Sequence, residues 1–226
     1  RFLRASRHVM QGVGLNQAIS YSLLTAEQAA QFQVNPQAGQ PMLLDYPMSS
    51  DHVATRMNIV AGLLIDIAYN VARQVDNVAL YEQGRVFLPV AGQERPTEEE
   101  HIAGAVTGSL TAASWNQADD DNQVDSFTVK GIVERYLRNM AVEGEISYQA
   151  NHDRADLHPG RCADVLLDGQ VVGYIGQVHP TVAKQYRVPV TYVFELNLEP
   201  LLQADKRDKH YQLISKYPAI TRDVAL

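Results

Sequence analysis

Cysteine and positive charge are both scarce in this chain of 226 residues. The single cysteine, Cys162, excludes an internal disulfide and argues against a thiolate metal cluster, in agreement with a reducing compartment such as the cytoplasm. The 26 Asp and Glu residues outnumber the 19 Lys and Arg residues, so the formal net charge is -7. Because phosphate binding relies on Lys and Arg, this balance argues against a main nucleic-acid surface, although it leaves room for a local basic edge.

Long apolar runs and known catalytic motifs are also missing. No run approaches the roughly 20 apolar residues that a membrane span requires. The opening Arg1-Phe2-Leu3-Arg4 is too short and too charged for the apolar part of a signal peptide. There is no phosphate-binding Gly-x-x-x-x-Gly-Lys loop, no His-Glu-x-x-His and no Gly-x-Ser-x-Gly elbow. With 46% hydrophobic residues, the composition instead predicts a soluble globular protein with a sizeable core.

The stretch from Asp45 to Pro89 has the clearest pattern. Between Ile59 and Val75 the apolar residues recur at intervals of three and four, which predicts a helix with one buried side. From Val78 to Phe87 apolar and polar residues alternate, which predicts a strand with one covered face. With the extended segment before the helix, the stretch is expected to form a strand, helix, strand unit that packs a helix on a sheet.

Other helices are indicated by the residues that begin them. Thr25 with Gln28 resembles a capping box, Asp125 is a capping residue before an apolar stripe, and Pro180 suits the first turn of a short helix ending at Tyr186. One more helix opens the chain, and because no capping residue precedes Arg1 we expect the chain to begin inside a longer helix. Its apolar stripe consists of Phe2, Leu3, Val9, Met10 and Val13.

The remaining strands follow from alternation and turn residues. We expect one strand at 16–24, then a polar loop at 90–100, and a strand at 101–109 that pairs antiparallel with the strand at 78–87. Asp168-Gly169 predicts a hairpin between 161–167 and 171–178. Further strands are expected at 145–150 and 190–198. The fold class is therefore α+β, with a mostly antiparallel mixed sheet and helices on one of its faces.

The domain organisation is read from a charged run. Asp205 to His210 marks a boundary, so residues 1–210 are expected to form the core domain. Residues 211–226 begin a new extended segment that stops without a finishing element, and we expect the chain to be truncated there.

Four features of the sequence each allow a functional and a structural interpretation. Asp119 to Asp121 could bind a cation, but runs of like charge usually form solvated loops. His152 and His158 with Asp153 and Asp156 could bind a metal, yet their spacing is irregular, and surface or capping roles are favoured.

Cys162 beside Arg161 has no base in the local sequence, so a packed small residue is favoured over an activated thiolate. Gly173-Tyr174-Ile175-Gly176 could contact a nucleic-acid backbone. Because these residues fall inside a predicted strand, we favour glycines that allow a neighbouring element to approach closely.

A resemblance to a known family adds to what the residues alone indicate. Several segments of this chain resemble, in the same order, the beta subunit of bacterial phenylalanyl-tRNA synthetase. They include Tyr46-Pro47-Met48-Ser49-Ser50-Asp51, Thr55-Arg56-Met57, Leu80-Tyr81-Glu82-Gln83-Gly84-Arg85-Val86-Phe87, Leu157-His158-Pro159-Gly160-Arg161, Gly173-Tyr174-Ile175-Gly176-Gln177-Val178-His179-Pro180 and Lys216-Tyr217-Pro218-Ala219-Ile220-Thr221-Arg222-Asp223. Together they span nearly the whole chain.

The resemblance implies a core with the fold of the class II aminoacyl-tRNA synthetases that does not itself run the reaction. Class II enzymes hold ATP with an arginine just after the strand of their second motif, but here Gly84-Arg85-Val86-Phe87 is followed by Leu88. A glycine and arginine normally open the helix of the third motif, but this chain has Glu199-Pro200 there. We therefore expect no catalytic, cofactor-binding or metal-binding residues in this segment. Two alternatives remain: a core that binds ATP with different residues, and a free-standing tRNA-binding module.

The resemblance also implies partners. The complete enzyme is expected to be a tetramer of two alpha and two beta subunits that attaches phenylalanine to tRNA(Phe) with ATP and Mg²⁺. Arg1 to Leu24 resembles the interface-forming first motif of class II enzymes, so its apolar stripe is expected to contact the alpha subunit. Residues 211–226 resemble the lead-in to an anticodon-binding module. The structural or interface candidates are Phe2, Leu3, Val9, Met10, Val13, Arg56, Arg85, His158, Gly160, Gly173, Gly176 and His179.

Overall fold

A computed structural model of the chain describes residues 1–36, 38–111, 115, 122–206, 211, 213–214 and 216–224. The predicted aspartate cluster at 119–121 and residues 207–210 of the predicted domain boundary lie outside these ranges. The helices are α1 (Phe2–Gly12), α2 (Ala26–Ala30), α3 (Val60–Val71), α4 (Ser126–Asn139), α5 (Pro180–Tyr186) and α6 (Leu198–Gln203). The strands are β1 (Asn16–Gln17), β2 (Leu23–Leu24), β3 (Ala54–Thr55), β4 (Val78–Leu88), β5 (Thr97–Thr107), β6 (Ile146–Ala150), β7 (Leu157–Leu167), β8 (Gln170–Val178) and β9 (Thr191–Asn197).

One large sheet of seven strands dominates the fold, in the order β1-β4-β5-β9-β8-β7-β6. Every neighbouring pair in it is antiparallel except β1 and β4. A separate small sheet pairs β2 with β3. The expected α+β class with a mostly antiparallel mixed sheet is confirmed, as is the antiparallel pairing of β4 with β5.

Helices cover both faces of this sheet, so the prediction of helices on one face was wrong. One core cluster joins α3, through Leu63 and Ile67, to residues such as Ala103 and Val193 of the sheet. The other joins α1, α4 and α6 to the opposite side of the same strands, where the largest buried side chains include Tyr81 and Phe194. Periodicity shows that a helix has a buried side, but it does not show which sheet face that side covers.

Two strand predictions also need correction. The segment 16–24 is not one strand: β1 pairs with β4 and β2 with β3, and Ile19 between them is 87% exposed. The polar loop ends earlier than expected, because β5 begins at Thr97 and includes the three glutamates 98–100. These glutamates belong to a strand because they pair with the end of β4, where Arg85 forms an ion pair with Glu98.

The predicted helix starts and the predicted hairpin turn are confirmed. Thr25 and Asp125 both form complete capping boxes at the starts of α2 and α4. Asp168 and Gly169 both have positive φ, at 51° and 80°, as a type I′ hairpin turn requires. Pro180 occupies the first turn of α5, which ends at Tyr186 as predicted. Among the described residues, we find no helix with the length and apolarity to cross a membrane.

Candidate functional site

The centre of the large sheet meets the first turn of α3 at a buried carboxylate. Glu195 on β9 is fully buried, and its Oε2 accepts hydrogen bonds from the backbone N–H groups of Ile59 at 3.0 Å and Val60 at 3.3 Å. A negative charge is favourable at this position, because helix N-termini present unpaired N–H groups and a positive dipole end. The carboxylate therefore ties the helix to the sheet.

His101 on β5 extends this network. Its Nδ1 lies 2.7 Å from Glu195 Oε1, and its Nε2 lies 3.3 Å from Glu99 Oε2. The amide of Asn197 also donates to Glu99, at 2.7 Å. Burial, the largest single influence, lowers the pKa of His101, but hydrogen bonds and charges from Glu195 and Glu99 together raise it above its ordinary value. The network favours a protonated imidazolium between two carboxylates.

A cleft of about 440 Å³ opens beside this network, and we call it the central cleft. Glu99, His101 and Asn197 lie on its wall, together with Arg154 and Asp164 farther across the sheet. Arg154 is 8% exposed, and its Nη2 donates to the carbonyl of Gln33 at 2.7 Å and lies 3.5 Å from Asp156. Both cations on this wall thus already have carboxylate partners.

The two positions at which class II arginines were expected lie on the same cleft. Leu88 ends β4, and Pro200 lies in the first turn of α6; both line the central cleft. Glu199 beside Pro200 is fixed through its backbone N–H, which donates to Asn197 Oδ1 at 2.8 Å. The structure therefore places Leu88 and Pro200 on the wall of one cleft, with an apolar side chain and a proline at the positions where arginines were expected.

The two arginines singled out from the sequence have different environments. Arg56 is 5% exposed; its Nη1 lies 2.6 Å from Glu82 Oε1, and its Nε donates to the carbonyl of Arg85 at 2.8 Å. Arg85 points outward, with a side chain that is 66% exposed and an ion pair to Glu98 at 2.5 Å. These contacts give Arg56 a fold-stabilising role, and neither arginine lines the central cleft.

The histidine candidates organise local backbone. His158 accepts a hydrogen bond from the Gly160 N–H at 3.1 Å, and His179 caps α5 by accepting from the Thr181 N–H at 3.3 Å. His152 Nδ1 lies 2.6 Å from the carbonyl of Pro159. Within the described ranges, no three His, Cys, Asp or Glu side chains form a group able to hold a metal ion.

The glycines and the cysteine of the β7–β8 region have packing roles. A Cβ added at Gly173 would lie 2.2 Å from the carbonyl oxygen of Glu195, and one at Gly176 would lie 3.0 Å from that of Arg161. This close approach of neighbouring strands is the interpretation favoured from the sequence. Cys162 is buried, and this burial raises its pKa to about 11, which suits a packed thiol rather than a nucleophile.

The apolar stripe of α1 lies against the chain's own core. Met10 is fully buried, and Phe2, Leu3, Val9 and Val13 are partly buried residues packed on the same core cluster. Much of the stripe is thus already covered without any second chain. A contact between its half-buried members and an alpha subunit stays a prediction.

A more exposed apolar surface lies near α3. Ile19 and Tyr21 are 87% and 73% exposed, and with Ile65 they line a groove of about 470 Å³. The ring of Tyr21 packs 4.7 Å from that of His52, which ends a loop carrying the exposed side chains of Tyr46 and Met48. We call Ile19, Tyr21, Tyr46, Met48 and Ile65 the apolar surface.

The buried network was missed in the sequence, although one signal was present. His101 and Glu195 are 94 positions apart, so local patterns do not connect them. Glu195, however, directly follows the unbroken apolar run Tyr192-Val193-Phe194, which is typical of a strand covered on both faces, and buried carboxylates require partners. That conflict marks the position as special before any contact is known.

Comparison with known proteins connects this geometry to a family. Residues 1–198 match the family model described as the phenylalanyl tRNA synthetase beta chain CLM domain. The phenylalanine–tRNA ligase beta subunit of Lactiplantibacillus plantarum is 49% identical over 224 residues, and that of Bacillus subtilis is 43% identical over 223. Each alignment covers 99% of this chain but 27% of the relative, so the chain spans about a quarter of the length of these relatives.

Solved structures show a related fold at low sequence identity. Pyrrolysyl-tRNA synthetase from Desulfitobacterium hafniense aligns with a TM-score of 0.62 over 89% of this chain and 67% of the other, at 12% identity. A second structure of the pyrrolysyl enzyme gives a TM-score of 0.61 at 11% identity. The likeness confirms the expected class II synthetase-like fold.

Proposed function

The chain belongs to the family of phenylalanyl tRNA synthetase beta chain CLM domains, and from that premise we propose that it is a non-catalytic core that supports a catalytic alpha subunit. It retains the class II sheet and the cleft at its centre. It contributes to aminoacylation by holding the geometry of its partner, without forming an adenylate itself.

The charge of the central cleft carries this proposal. His101 lies between Glu195 and Glu99, and Arg154 pairs with Asp156, so the cleft offers no uncommitted cation from its described residues. Asp164 adds a further carboxylate to the wall. A triphosphate brought into this space would meet negative charge and would have to break existing ion pairs to find a partner.

The replaced arginine positions allow the loss of nucleotide affinity to be estimated. A charge-assisted hydrogen bond contributes on the order of 1.5–3 kcal/mol. With Leu88 at one position and Glu199-Pro200 at the other, two such contacts to nucleotide are lacking from the described cleft. Their combined loss, about 3–6 kcal/mol, weakens nucleotide binding by a factor on the order of a hundred to ten thousand.

The partner expected from the family is the alpha subunit of phenylalanine–tRNA ligase. We propose that the complete cytoplasmic enzyme contains two alpha and two beta subunits and attaches phenylalanine to tRNA(Phe) with ATP and Mg²⁺. The apolar surface is the best candidate for the alpha contact: Ile19 and Tyr21 belong to the segment that resembles the interface-forming first motif, and both are largely exposed. Large exposed apolar patches commonly mark protein interfaces.

Calorimetric titration of the purified chain with Mg-ATP, with and without phenylalanine, tests the non-catalytic role. We expect no saturable heat up to millimolar nucleotide. Saturable binding in the micromolar range would overturn the proposal and favour a nucleotide site built from other residues. A tRNA titration at two salt concentrations tests the remaining alternative, because a free-standing tRNA-binding module would show strongly salt-dependent affinity.

A further inference from the structure

The groove of about 470 Å³ beside α3, which we call the α3 groove, combines two kinds of wall. Ile19, Tyr21 and Ile65 give it an apolar side, whereas Asp51 and Asp66 give it two carboxylates. None of the described residues that line it is Lys or Arg. The chain therefore places carboxylates beside an apolar wall without supplying a basic side chain to the lining.

The segment around Ser20 is fixed against α3. A Cβ added at Gly62 would lie 2.3 Å from Ser20 Oγ, so a larger residue would push this segment away from the helix. The backbone N–H and the hydroxyl of Ser20 both donate to the buried carboxylate of Glu82, the backbone bond at 3.1 Å. Glu82 in turn pairs with Arg56 at 2.6 Å. The α3 groove is thus formed by the chain alone, which lowers the entropic cost of binding a partner.

Asp66 is a carboxylate without a cation. It follows Gly62 by one helical turn, so it lies on the side of α3 that faces Ser20 and the groove. Its side chain is only partly exposed, and this burial, together with the nearby charge of Glu82, raises its pKa. Glu82 has Arg56 as its cation, but Asp66 forms no ion pair with any residue that the structure describes. A partly desolvated carboxylate beside a second one is stabilised by a cation from outside the chain.

The walls limit what that cation can be. A metal ion needs several ligands, and the described ranges contain no group of three His, Cys, Asp or Glu side chains able to hold one. A small organic cation would be poorly enclosed, because Ile19 and Tyr21 are 87% and 73% exposed. A second copy of the chain is disfavoured, since both copies carry a net charge of -7. A Lys or Arg side chain of another protein suits both walls, because it joins an apolar stem to a charged group.

We propose that the α3 groove receives a Lys or Arg side chain of the alpha subunit, whose charged group pairs with Asp66 while its aliphatic stem packs on Ile19 and Ile65. This inference rests on the proposed contact between the apolar surface and the alpha subunit, and it adds the type of side chain that the partner presents. Asp51 is exposed, so its charge attracts the same cation as the two subunits approach.

Asp66→Asn separates binding from folding. The change removes the charge at nearly the same volume, so the affinity of the purified chain for the alpha subunit should fall by a factor on the order of ten to a hundred. The same change relieves the repulsion from Glu82, so the melting temperature of the chain alone should stay equal or rise. Unchanged affinity, or weaker binding that comes with a lower melting temperature, would overturn the inference.

Asp76→Asn is the matched control, because Asp76 is an exposed carboxylate beyond the end of α3 and outside the lining of the groove. This variant should bind the alpha subunit like the parent. A loss equal to that of Asp66→Asn would show that only the overall charge matters and would contradict a specific pair.

Ile19→Asp distinguishes this inference from the proposed interface. Weaker binding in both Ile19→Asp and Asp66→Asn supports the inference. Weaker binding in Ile19→Asp alone would leave the apolar surface as the interface and show that Asp66 holds no cation of the partner. If neither variant weakens binding, both the groove and the apolar surface lie outside the interface.

Discussion

His101 and Glu195 meet 2.7 Å apart in the interior of the sheet, one on β5 and the other on β9. Their side chains are 2% and 0% exposed. Because Glu195 also accepts the N–H groups at the start of α3, this pair joins the helix to two central strands. The stability of the chain should therefore depend on the charge of a single imidazole.

The pH dependence of unfolding tests that relationship. The pKa of His101 is raised in the folded chain, whereas an unfolded histidine titrates near 6.5, about its ordinary value. The stabilisation is thus fully present below about pH 6.5 and is lost as the pH rises through the folded pKa. We expect the free energy of unfolding, from urea titrations between about pH 6 and 9, to fall with pH more steeply in the parent than in His101→Gln.

The exposed His8 on α1 supplies the control for that experiment. His8→Gln should give a curve parallel to the parent, whereas the difference between the parent and His101→Gln should shrink as the pH rises. Parallel curves for the parent and His101→Gln would show that the protonated imidazole does not stabilise the fold.

The buried pair Arg56–Glu82 predicts a large loss of stability. Arg56→Met leaves the Glu82 carboxylate, which is 4% exposed, without its cation. Breaking one side of a buried pair typically costs about 3–5 kcal/mol. Arg85→Met, which removes the exposed ion pair between Arg85 and Glu98, should lower the free energy of unfolding by less than about 1 kcal/mol. Similar losses in the two variants, measured by urea unfolding, would contradict the structural role assigned to Arg56.

Two glycine substitutions are expected to change the stability of the fold in opposite directions. In Gly173→Ala the new methyl group lies 2.2 Å from the carbonyl oxygen of Glu195, so β8 and β9 must separate, at a cost of about 1–3 kcal/mol or more. Gly131 lies exposed inside α4 with no atom within 4 Å of a new Cβ. Gly131→Ala should therefore stabilise by about 0.5–1 kcal/mol through helix propensity. Thermal unfolding of both variants checks the signs, and a stabilised Gly173→Ala would refute the close strand approach.

Local chemistry made much of this fold predictable. The capping boxes at Thr25 and Asp125 and the turn at Asp168-Gly169 depend on residues within a few positions of each other, so the sequence alone indicates them. The glutamates of β5 were misread for the opposite reason. Their place in a strand depends on β4, to which the loop at 89–96 returns the chain, and strand propensity yields to such pairing.

The candidate site was predictable only where a family pattern fixed a position. The resemblance identified Leu88 and Glu199-Pro200 as replaced arginine positions, and the fold places Leu88 and Pro200 on one cleft. The network of Glu99, His101 and Glu195 depends on the β5–β9 pairing, which no local pattern reveals. The α1 stripe shows the same limit, because an apolar stripe looks alike whether the chain's own core or another subunit covers it.

Cys162 should be nearly unreactive in the folded chain. Burial raises the pKa of its thiol to about 11, so at pH 8 its thiolate fraction is on the order of a hundredfold below that of an ordinary cysteine. The reaction of Cys162 with a thiol-specific disulfide reagent should therefore be at least about a hundredfold faster when the chain is unfolded in guanidinium. Equal rates in the folded and unfolded chain would contradict both the burial and the packing role.

Co-purification with an alpha subunit tests where the proposed interface lies. Ile19→Asp places a charge in the apolar surface, and because the side chain is 87% exposed, the fold should be unaffected. We expect this variant to lose the alpha subunit, since burying an unpaired carboxylate in an apolar interface is strongly unfavourable. Phe127→Asp is the matched control: its side chain is 77% exposed on α4, on the opposite face of the sheet from α3. Retention of the alpha subunit by Ile19→Asp and its loss in Phe127→Asp would move the interface to the α1–α4 side, where the half-buried residues of the stripe lie.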